Sequence, residues 1–376
     1  MHIHCPHFKK CSGCQYDEHI DTPDILLHAR HFLKTEFGLY LPLKTAHATN
    51  WRTRAKLAVR GLQKIEIGLF EKGSHKVCEI PECRVHHPRI NEAVLLLKKA
   101  LENTSLRGYE EGSHSGDIRY LQLVVQRKTN SVQLTLVLNG MQGYDVAAKL
   151  FKKLYEEHRL WHSLWLNINQ EKTNRIFGPR WEKIAGEELL SEEILGRQFA
   201  FGPEHFGQAN LAMYEEMIRD IKQRVPPDKK VVELYGGIGI IGICLVDSAK
   251  QVQICEIEKK AKPYFEIAKK QLSKAEQAKI SYKAAPAEKS QELLCGSELC
   301  IVDPPRKGLG ADVLHDILST QTLEKFIYIS CDWNSLERDS SWIRKNHPEW
   351  SFKEAISYLF FPGTNQIETV AFFEKE

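Results

Sequence analysis

The second half of the chain repeats one pattern, in which a short apolar strand is followed by an amphipathic helix and then by another strand. From about residue 208 onward the pattern predicts seven strands, at 230–235, 252–257, 280–283, 299–303, 326–331, 352–360 and 368–374. Strands that alternate with helices form a doubly wound, mostly parallel sheet. The last two strands are joined by a short loop without a helix, so we expect an antiparallel hairpin there. The predicted fold class is therefore α/β, with a seven-stranded Rossmann-like domain at residues 201–376.

The first half of the chain follows a different pattern. Short runs of alternating polarity, such as Val132-Gln-Leu-Thr-Leu-Val-Leu138, predict antiparallel strands between about residues 45 and 197, with helices near 90–102 and 144–157. A chain of 376 residues exceeds what one hydrophobic core usually covers. We therefore predict a β-rich N-terminal and central domain at residues 1–200, of which residues 15–45 are expected to pack on the second domain.

Composition excludes several classes of protein. Hydrophobic residues make up 42% and charged residues 27% of the chain, as in ordinary globular proteins. The longest apolar run, at residues 238–246, is far shorter than the roughly 20 residues that a membrane span needs. The N-terminal residues do not follow the pattern of a signal peptide. We therefore expect a cytoplasmic protein without membrane contact, and no feature of the sequence indicates an obligate protein partner.

Basic residues are concentrated at the start of the chain, although the net charge is only +3. Residues 1–60 hold nine lysines and arginines against five acids. Three basic side chains alternate with three uncharged ones there: Arg52, Arg54 and Lys56 with Thr53, Ala55 and Leu57. In a strand the basic set would line one face while the other set points inward. Such a face suits the phosphates of a nucleic acid, and a merely solvated strand face explains it equally well.

The ten cysteines fall into two groups. Five lie within the first 83 residues, whereas Cys244, Cys255, Cys295, Cys300 and Cys331 fall among the later strands and helices. Disulfides are rare in cytosolic proteins, so the clustered set indicates metal or redox chemistry. Three closely spaced cysteines with a distant fourth could hold a zinc ion or an iron–sulfur cluster, since both take four thiolates. The close set is Cys5, Cys11 and Cys14, and Cys78 and Cys83 are the candidates for the fourth ligand.

The first strand of the predicted sheet runs into a glycine-rich turn, Glu233-Leu-Tyr-Gly-Gly-Ile-Gly239. Glycine lets a backbone turn tightly and approach a ligand closely. Glu256 ends the next strand, 20 residues after Gly236, where a carboxylate can accept hydrogen bonds from ribose hydroxyls. Together these features predict a cofactor that contains a nucleoside, without separating a dinucleotide from S-adenosylmethionine.

The residues at two later strand ends reduce the number of reactions that the site could catalyse. The fourth strand runs into Asp303-Pro-Pro-Arg-Lys-Gly308, and the fifth runs into Ser330-Cys-Asp332. In open α/β sheets, ligands bind beyond the carboxyl ends of the strands. A cysteine at that edge suits methylation at C5 of uracil, because addition of a thiolate at C6 makes C5 nucleophilic. A base must then remove the C5 proton.

These motifs together resemble the RNA uracil-C5 methyltransferases across nearly the whole chain. The matching segments are Phe206-Gly-Gln-Ala-Asn210, the glycine-rich turn, Asp303-Pro-Pro-Arg-Lys-Gly308, Ser330-Cys-Asp332 and Phe361-Pro-Gly-Thr-Asn-Gln-Ile-Glu368. The resemblance implies methyl transfer from S-adenosylmethionine to C5 of a uridine in RNA. It also implies that the cofactor is contacted by Gln208, Tyr235, Glu256 and Asp303. The implied nucleophile is Cys331 and the implied base is Glu368.

The N-terminal cysteines resemble the 4Fe–4S site of the ribosomal RNA members of that family and of archaeal relatives. The fourth ligand there precedes a short run that ends in proline, as in Cys83-Arg-Val-His-His-Pro88. The resemblance therefore implies a cluster held by Cys5, Cys11, Cys14 and Cys83. A chain that starts at this site, with no RNA-binding barrel before it, resembles the shorter of the ribosomal RNA branches. The expected partner is structured RNA, with 23S ribosomal RNA favoured and transfer RNA as the alternative.

Four positions depart from the pattern of the family. Gln366 replaces the usual histidine, Gly207 a phenylalanine, Gly236 a cysteine and Leu359 an aspartate. Three other functions therefore stay open: a transfer RNA uridine-C5 methyltransferase, an amino-group methyltransferase acting on an RNA base, and a non-catalytic RNA-binding relative. The amino-group enzyme would need neither a nucleophilic cysteine nor the closing glutamate.

Overall fold

The structure is a computed structural model that describes residues 1–173 and 175–376. The chain divides into two compact units whose segments interleave along the sequence. The first unit consists of Met1–Ile20, His47–Glu192 and Phe201–Leu211. The second consists of Asp21–Ala46, Glu193–Ala200 and Ala212–Glu376. Around the boundary predicted at residue 200 the chain crosses between the units three times, because residues 193–200 are grouped with the second unit and residues 201–211 with the first. Most of residues 15–45 is grouped with the second unit.

The described residues form seventeen strands and ten α-helices. The strands are β1 (Leu43–Lys44), β2 (Arg54–Arg60), β3 (Glu66–Phe70), β4 (Val77–Glu79), β5 (Ile118–Val125), β6 (Val132–Leu138), β7 (Trp161–Ile168), β8 (Arg180–Gly186), β9 (Leu190–Ile194), β10 (Arg197–Phe201), β11 (Lys230–Leu234), β12 (Gln251–Glu256), β13 (Ile280–Ala284), β14 (Leu299–Val302), β15 (Lys325–Ser330), β16 (Trp350–Tyr358) and β17 (Glu368–Lys375). The helices are α1 (Asp24–Phe32), α2 (Pro88–Leu101), α3 (Tyr144–Glu157), α4 (Leu211–Arg224), α5 (Ile240–Leu245), α6 (Lys262–Lys269), α7 (Lys274–Lys279), α8 (Gln291–Leu294), α9 (Ala311–Ser319) and α10 (Trp333–Asn346).

The second unit is built on an eight-stranded sheet with the order β1-β16-β17-β15-β14-β11-β12-β13. All seven predicted strands are present, and the α/β fold is confirmed. β17 runs antiparallel to both β15 and β16, which confirms the predicted hairpin. The eighth strand, β1, pairs in parallel with β16 at the edge of the sheet. The sequence pattern did not predict it, because a strand of two residues carries no periodicity.

The central strands of this sheet are apolar because both of their faces are covered. Val232 pairs with Cys300, Ile301 pairs with Ile327, and all four side chains are inaccessible to solvent. Full burial of one such aliphatic side chain stabilises the fold by about 1.5–3 kcal/mol. The strands therefore form a rigid base, and the residues that follow their carboxyl ends are held in fixed positions.

The first unit contains a seven-stranded sheet with the order β4-β3-β2-β5-β6-β7-β8. Its neighbouring strands are antiparallel except for β6 and β7, which are parallel. The prediction of antiparallel strands was wrong at this pair. The connection through α3 returns the chain to the end of the sheet at which β6 began, so β6 and β7 run in the same direction. Both predicted helices are present as α2 and α3. One apolar cluster joins them to the sheet and includes Leu97, Leu123 and Phe151.

Two further features complete the fold. β9 and β10 form a separate two-stranded sheet in the part of the chain that links the two larger sheets in sequence. Within residues 1–173 and 175–376, no helix is long and apolar enough to cross a membrane.

Candidate active site

The glycine-rich turn after β11 holds its backbone in a left-handed conformation at several positions. Tyr235 has φ +61°, and Gly237 has φ +55°. For a residue with a side chain this conformation costs about 1–3 kcal/mol, so the surrounding structure must enforce it at Tyr235. A Cβ atom on Gly236 would lie 2.5 Å from the side chain of Ile254. The neighbouring strand therefore leaves no room for the cysteine that is usual in the family.

The carboxylate of Glu256 is fixed by the backbone on both sides. The N–H of Gly237 donates to Oε2 (2.9 Å), and the N–H of Glu258 donates to Oε1 (2.7 Å). Each oxygen keeps a second lone pair for a further donor. The arrangement fits a ribose, since its two hydroxyls present adjacent donors, and it links the acid directly to the glycine-rich turn.

Glu233 is a functional candidate that the sequence analysis missed. It is only 2% exposed, and its Oε2 accepts a hydrogen bond from the N–H of Gly242 (2.8 Å). Burial raises its pKa to about 8, with the charges of Asp303 and Glu256 adding to the shift and the Gly242 hydrogen bond opposing it. The available signal was an acid inside an otherwise apolar strand, directly before the glycine-rich turn.

Asp303 follows β14 and stands at the same carboxyl edge of the sheet. Its side chain keeps partial contact with solvent, but the protein atoms around it raise its pKa to about 7 by removing hydration. The loop that continues from it is anchored to α10, because the hydroxyl of Ser335 donates to the carbonyl oxygen of Arg306 (2.6 Å). The loop turns at Gly308, where φ is +76° and a Cβ atom would lie 2.6 Å from the guanidinium of Arg338.

Cys331 lies in a tight turn between β15 and α10. The hydroxyl of Ser330 donates to the carbonyl oxygen of Asp332 (2.8 Å) and accepts from the Asp332 N–H (3.3 Å). Asp332 in turn caps α10, since its Oδ1 accepts from the N–H of Asn334 (3.2 Å). These bonds hold the thiol at the end of the strand with part of its surface open to solvent.

Glu368 reaches the same place from the other side of the β15–β17 ladder. The last pair in the register joins Ser330 to Thr369. The next residues on the two strands are Cys331 and Glu368, and residues opposite each other on antiparallel strands project from the same face of the sheet. Glu368 is 8% exposed. The fold therefore brings the predicted nucleophile and the predicted base together.

Arg306 supplies the positive charge of this site, and the sequence analysis did not single it out. Burial raises the pKa of Cys331 to about 11, with Glu368 and Asp303 adding to the shift and Arg306 opposing it. Burial also raises the pKa of Glu368 to about 8, again increased by Asp303 and reduced by Arg306. The site therefore favours protonated forms at rest, and Arg306 is the group that favours the thiolate and the carboxylate.

The N-terminal cysteines meet in the first unit. A cavity of about 220 Å³ is lined by Cys5, Cys11, Cys14 and Cys83, together with the basic side chains Arg52 and Lys56. Cys78 does not line it, and its thiol instead contacts the carbonyl oxygen of Glu79 (3.7 Å). Cys83 therefore lies at the same cavity as the three closely spaced cysteines, whereas Cys78 does not.

The four thiols are close enough for their charges to interact. Burial raises the pKa of Cys14 to about 12, and Cys83, Cys11 and Cys5 add to the shift. In the described part of the chain, no group of three or more His, Cys, Asp or Glu side chains is placed to hold a metal ion.

Gln208 lies in the first unit, within the segment Phe201–Leu211. The start of β2 holds this segment, since the N–H of Thr53 donates to the carbonyl oxygen of Ala209 (2.9 Å). The guanidinium of Arg54 donates to the carbonyl oxygen of His205 (2.8 Å). A Cβ atom on Gly207 would lie 3.1 Å from that guanidinium, so Arg54 occupies space beside the position where the family has a phenylalanine.

The alternation predicted for the basic strand is confirmed, since Thr53, Ala55 and Leu57 are 7%, 4% and 2% exposed. The three basic residues have different surroundings. Burial lowers the pKa of Arg54 to about 10, and its guanidinium donates a hydrogen bond to a backbone carbonyl oxygen. Lys56 is the most exposed of the three and lies 4.8 Å from the ring of Phe177.

The predicted site residues therefore fall into two sets. Five of them lie at one edge of the second sheet, where they end a strand, follow its carboxyl end or begin β17: Tyr235, Glu256, Asp303, Cys331 and Glu368. Gln208 and the four N-terminal cysteines belong to the first unit. Of the remaining cysteines, Cys244, Cys255 and Cys300 are buried and Cys295 is exposed. Leu359, which replaces an acid, is fully buried.

A model of the tRNA (Uracil-5-)-methyltransferase family matches residues 187–376. An uncharacterised RNA methyltransferase of Protochlamydia amoebophila is 38% identical over 380 residues, which cover 99% of this chain and 98% of that protein. Another from Nostoc is 28% identical over 382 residues, covering 96% of this chain and 80% of that protein.

One solved structure extends the likeness to the whole fold. The tRNA (uracil-54, C5)-methyltransferase of Pyrococcus abyssi, in complex with S-adenosyl-L-homocysteine, matches with a TM-score of 0.77. The match covers 96% of this chain and 86% of that one, at 21% sequence identity. At that identity the likeness shows a shared fold.

Proposed function

We propose that this chain, an S-adenosylmethionine-dependent member of the RNA uracil-C5 methyltransferase family, methylates a uridine of 23S ribosomal RNA through a covalent adduct with Cys331. One observation carries the proposed mechanism. The register of β15 and β17 sets Cys331 beside Glu368, and Asp303 and Arg306 act electrostatically on both. A nucleophile, a base and the positive charge of Arg306 thus lie together at the edge where ligands of such sheets bind.

The cofactor-binding residues of the second unit fit a nucleoside. Glu256 would accept hydrogen bonds from the ribose hydroxyls, while the glycine-rich turn allows close approach of the backbone. Tyr235 and Asp303 would complete this part of the site, and Gln208 is proposed as a further contact. When bound, S-adenosylmethionine supplies an electrophilic methyl group on a positively charged sulfur.

The first chemical step is the addition of Cys331 to the uracil. The thiol, which is partly open to solvent, loses its proton to water, and a new bond forms between Sγ and C6. The electron pair of the C5–C6 double bond moves into the C4–C5 bond, and the C4=O4 pair moves onto O4. The ring becomes an enolate that is nucleophilic at C5. Arg306 favours this step because it stabilises the thiolate.

The second half of the reaction depends on Glu368. After C5 has taken the methyl group, its remaining hydrogen must leave as a proton before the ring can recover. Glu368 accepts that proton, the C5–C6 double bond re-forms, and the bond between C6 and Sγ breaks. The products are free Cys331, 5-methyluridine and S-adenosylhomocysteine.

The four N-terminal cysteines are proposed to hold a 4Fe–4S cluster. Cys5, Cys11, Cys14 and Cys83 surround one cavity, which suits a cluster bound through one thiolate per iron. Bound there, the cluster would tie the N-terminal turn to the segment that follows β4. No step of the methyl transfer requires it.

The choice of ribosomal RNA rests on the same cysteines, which resemble the cluster site of the ribosomal RNA members. The test is methyl transfer from labelled S-adenosylmethionine to unmodified transcripts of 23S ribosomal RNA and transfer RNA, followed by mapping of the modified nucleoside. We expect 5-methyluridine in the 23S transcript and none with Cys331→Ala. Label in transfer RNA alone would overturn the choice of substrate. Methylated adenine or guanine would indicate the amino-group enzyme, and no label in either RNA would indicate a non-catalytic relative.

A further inference from the structure

Tyr214 occupies the first turns of α4, at the active edge of the second unit. At the other end of the helix, the amine of Lys325 donates to the carbonyl oxygen of Arg224 (3.1 Å), so α4 ends where β15 begins. The 14 residues of α4 span about 21 Å, and the six residues of β15 span about 20 Å. The start of α4 therefore lies level with the end of β15, where Cys331 stands.

A ring contact supports this placement. The ring centroid of Tyr214 lies 6.5 Å from that of Phe360 in an edge-to-face arrangement. Phe360 comes two residues after β16, and both β15 and β16 run antiparallel to β17. The carboxyl ends of β15 and β16 consequently lie at the same edge of the sheet, and Tyr214 is packed against that edge.

The hydroxyl of Tyr214 is unusual among the buried tyrosines of this unit. Tyr328 donates to Asp339 and Tyr358 donates to Asp220, each at 2.8 Å. Tyr214 is 6% exposed, and its hydroxyl forms no hydrogen bond with any residue that the structure describes. This hydroxyl is not one of the fully buried polar atoms that lack a partner in the described part of the chain, so it keeps contact with solvent at this edge. A donor that reaches solvent there is open to a bound ligand.

The charges around Tyr214 are those of the active site. Burial raises its pKa well above 10, and Asp303, Glu233, Cys244 and Glu368 add to the shift. The phenol therefore stays protonated throughout the physiological range and is available as a donor. Asp303 and Glu368 are the same carboxyls that act on Cys331.

We propose that the hydroxyl of Tyr214 donates a hydrogen bond to O4 of the target uracil and stabilises the enolate that forms when Cys331 adds to C6. Addition moves the C5–C6 electron pair into the C5–C4 bond and the C4=O4 pair onto O4, and elimination of the thiolate reverses both shifts. A donor at O4 therefore binds the transition state more strongly than the resting base. This role rests on the proposed uracil-C5 chemistry and adds to it a residue that touches the reacting ring.

The test compares Tyr214→Phe with Tyr358→Phe. Tyr358 is a second buried tyrosine, and its hydroxyl donates a hydrogen bond to Asp220. Phenylalanine keeps the ring packing, so thermal unfolding should show that both variants fold. With RNA that carries 5-fluorouridine, which blocks the final proton loss, we expect Tyr214→Phe to form the covalent adduct about 10²-fold more slowly than the parent. Its affinity for S-adenosylmethionine by calorimetry should stay within about twofold of the parent value, and Tyr358→Phe should form the adduct at the parent rate.

A modified substrate tests the atom that Tyr214 contacts. Replacing O4 of the target by sulfur weakens an O–H donor bond, so the parent should slow on 4-thiouridine RNA while Tyr214→Phe should show no added penalty. An equal penalty in both proteins, or an unchanged adduct rate in Tyr214→Phe, would overturn the inference. A variant whose only defect is weaker binding of S-adenosylmethionine would make Tyr214 a cofactor contact instead. A parent that forms no 5-methyluridine would overturn the proposed function itself, and this role with it.

Discussion

Cys331 and Glu368 occupy the position just beyond the last pair of the β15–β17 ladder, which joins Ser330 to Thr369. Their side chains are far apart in sequence, and the antiparallel return of β17 is what makes them neighbours. Burial and the charge of Glu368 both raise the pKa of the Cys331 thiol. The two groups therefore oppose each other's ionisation, and the reaction uses them in succession, first the thiolate and then the carboxylate.

The first prediction separates these two roles. Addition of the thiol and methyl transfer do not require loss of the C5 proton, but release of the enzyme does. Glu368→Gln should form the methylated adduct and then stall, leaving a protein–RNA species that survives denaturing electrophoresis. Loss of a general base typically lowers turnover by about 10² to 10⁴. Cys331→Ala should form no such species.

Glu374→Gln is the matched control for this experiment, because Glu374 lies on the same strand and pairs with Lys325 (2.8 Å) on the surface. It should turn over like the parent. Turnover of Glu368→Gln at the parent rate would show that another group removes the proton. Binding of RNA without any adduct would show that the carboxylate is needed before the proton step.

The second prediction concerns the dependence of the rate on pH. Addition requires loss of a proton from Cys331, whose pKa is about 11, and release requires the charged form of Glu368, whose pKa is about 8. The value of kcat/KM, which reports the steps up to methyl transfer, should therefore rise with pH throughout the range below 11, and kcat should rise through about 8. Arg306 lowers both pKa values, so Arg306→Ala should move the profile to higher pH by about one unit.

Lys307→Ala is the control for that shift, since it removes a neighbouring positive charge that acts on neither group. Its profile should overlay that of the parent. A flat parent profile between pH 6 and 9, or a shift of Arg306→Ala to lower pH, would contradict this account of the site.

The third prediction concerns the N-terminal cysteines. Protein purified without oxygen should be brown and carry about four irons per chain. Cys83→Ala should lose the iron, because it removes a thiol that lines the cavity, whereas Cys78→Ala should keep it. Metal analysis and visible absorption are the measurements. Stoichiometric zinc in the parent, or loss of iron in Cys78→Ala, would contradict the proposed ligands.

The sequence predicted those parts of the molecule that depend on local pattern. The seven strands of the second sheet follow from their apolar runs, and Glu256 and Cys331 follow from their positions at strand ends. Tyr214 was out of reach, because its relation to the active edge depends on how α4 crosses the sheet. The parallel pairing of β6 and β7 was also missed, since a strand's direction is set by the connection before it and not by its own residues.

Arg54 shows a second limit of reasoning from pattern. Its spacing placed it correctly on the face opposite Ala55, but spacing does not show what covers that face. The structure places the carbonyl oxygen of His205 there, at 2.8 Å from the guanidinium. A residue whose spacing suits phosphate binding thus holds a loop of its own unit.

The fourth prediction follows from this difference between Arg54 and Lys56. Lys56→Ala should weaken RNA binding. It should also reduce, by about one, the steepness with which the logarithm of the RNA-binding constant falls with the logarithm of the salt concentration, as expected for one lost phosphate contact. Arg54→Ala should instead destabilise the first unit by about 1.5–3 kcal/mol, because it removes a charged hydrogen bond to a backbone carbonyl. Binding at several salt concentrations and thermal unfolding are the measurements.

Lys149→Ala is the control, since α3 covers the opposite face of the same sheet. It should leave both the affinity and the salt slope unchanged. Equal salt slopes for the parent and Lys56→Ala would remove this strand face from the RNA-binding surface.

The last prediction links the active site to stability. The pKa of Glu368 is about 8 in the folded chain, against 4.5 for the free side chain, and burial is the main cause. A group whose pKa is raised on folding contributes its full stability below the lower value and loses it as pH rises through the higher one. Glu368→Gln stays neutral at every pH. Its unfolding free energy should therefore match that of the parent near pH 4.5 and exceed it increasingly above, by up to about 1.4 kcal/mol per pH unit. Denaturant unfolding of both proteins between pH 5 and 8 measures this difference.

Glu374→Gln, on the exposed part of the same strand, should show no such gain. A Glu368→Gln protein that is no more stable than the parent at pH 8 would mean that the buried carboxylate is already compensated, and that the base is held in its charged form before the RNA arrives.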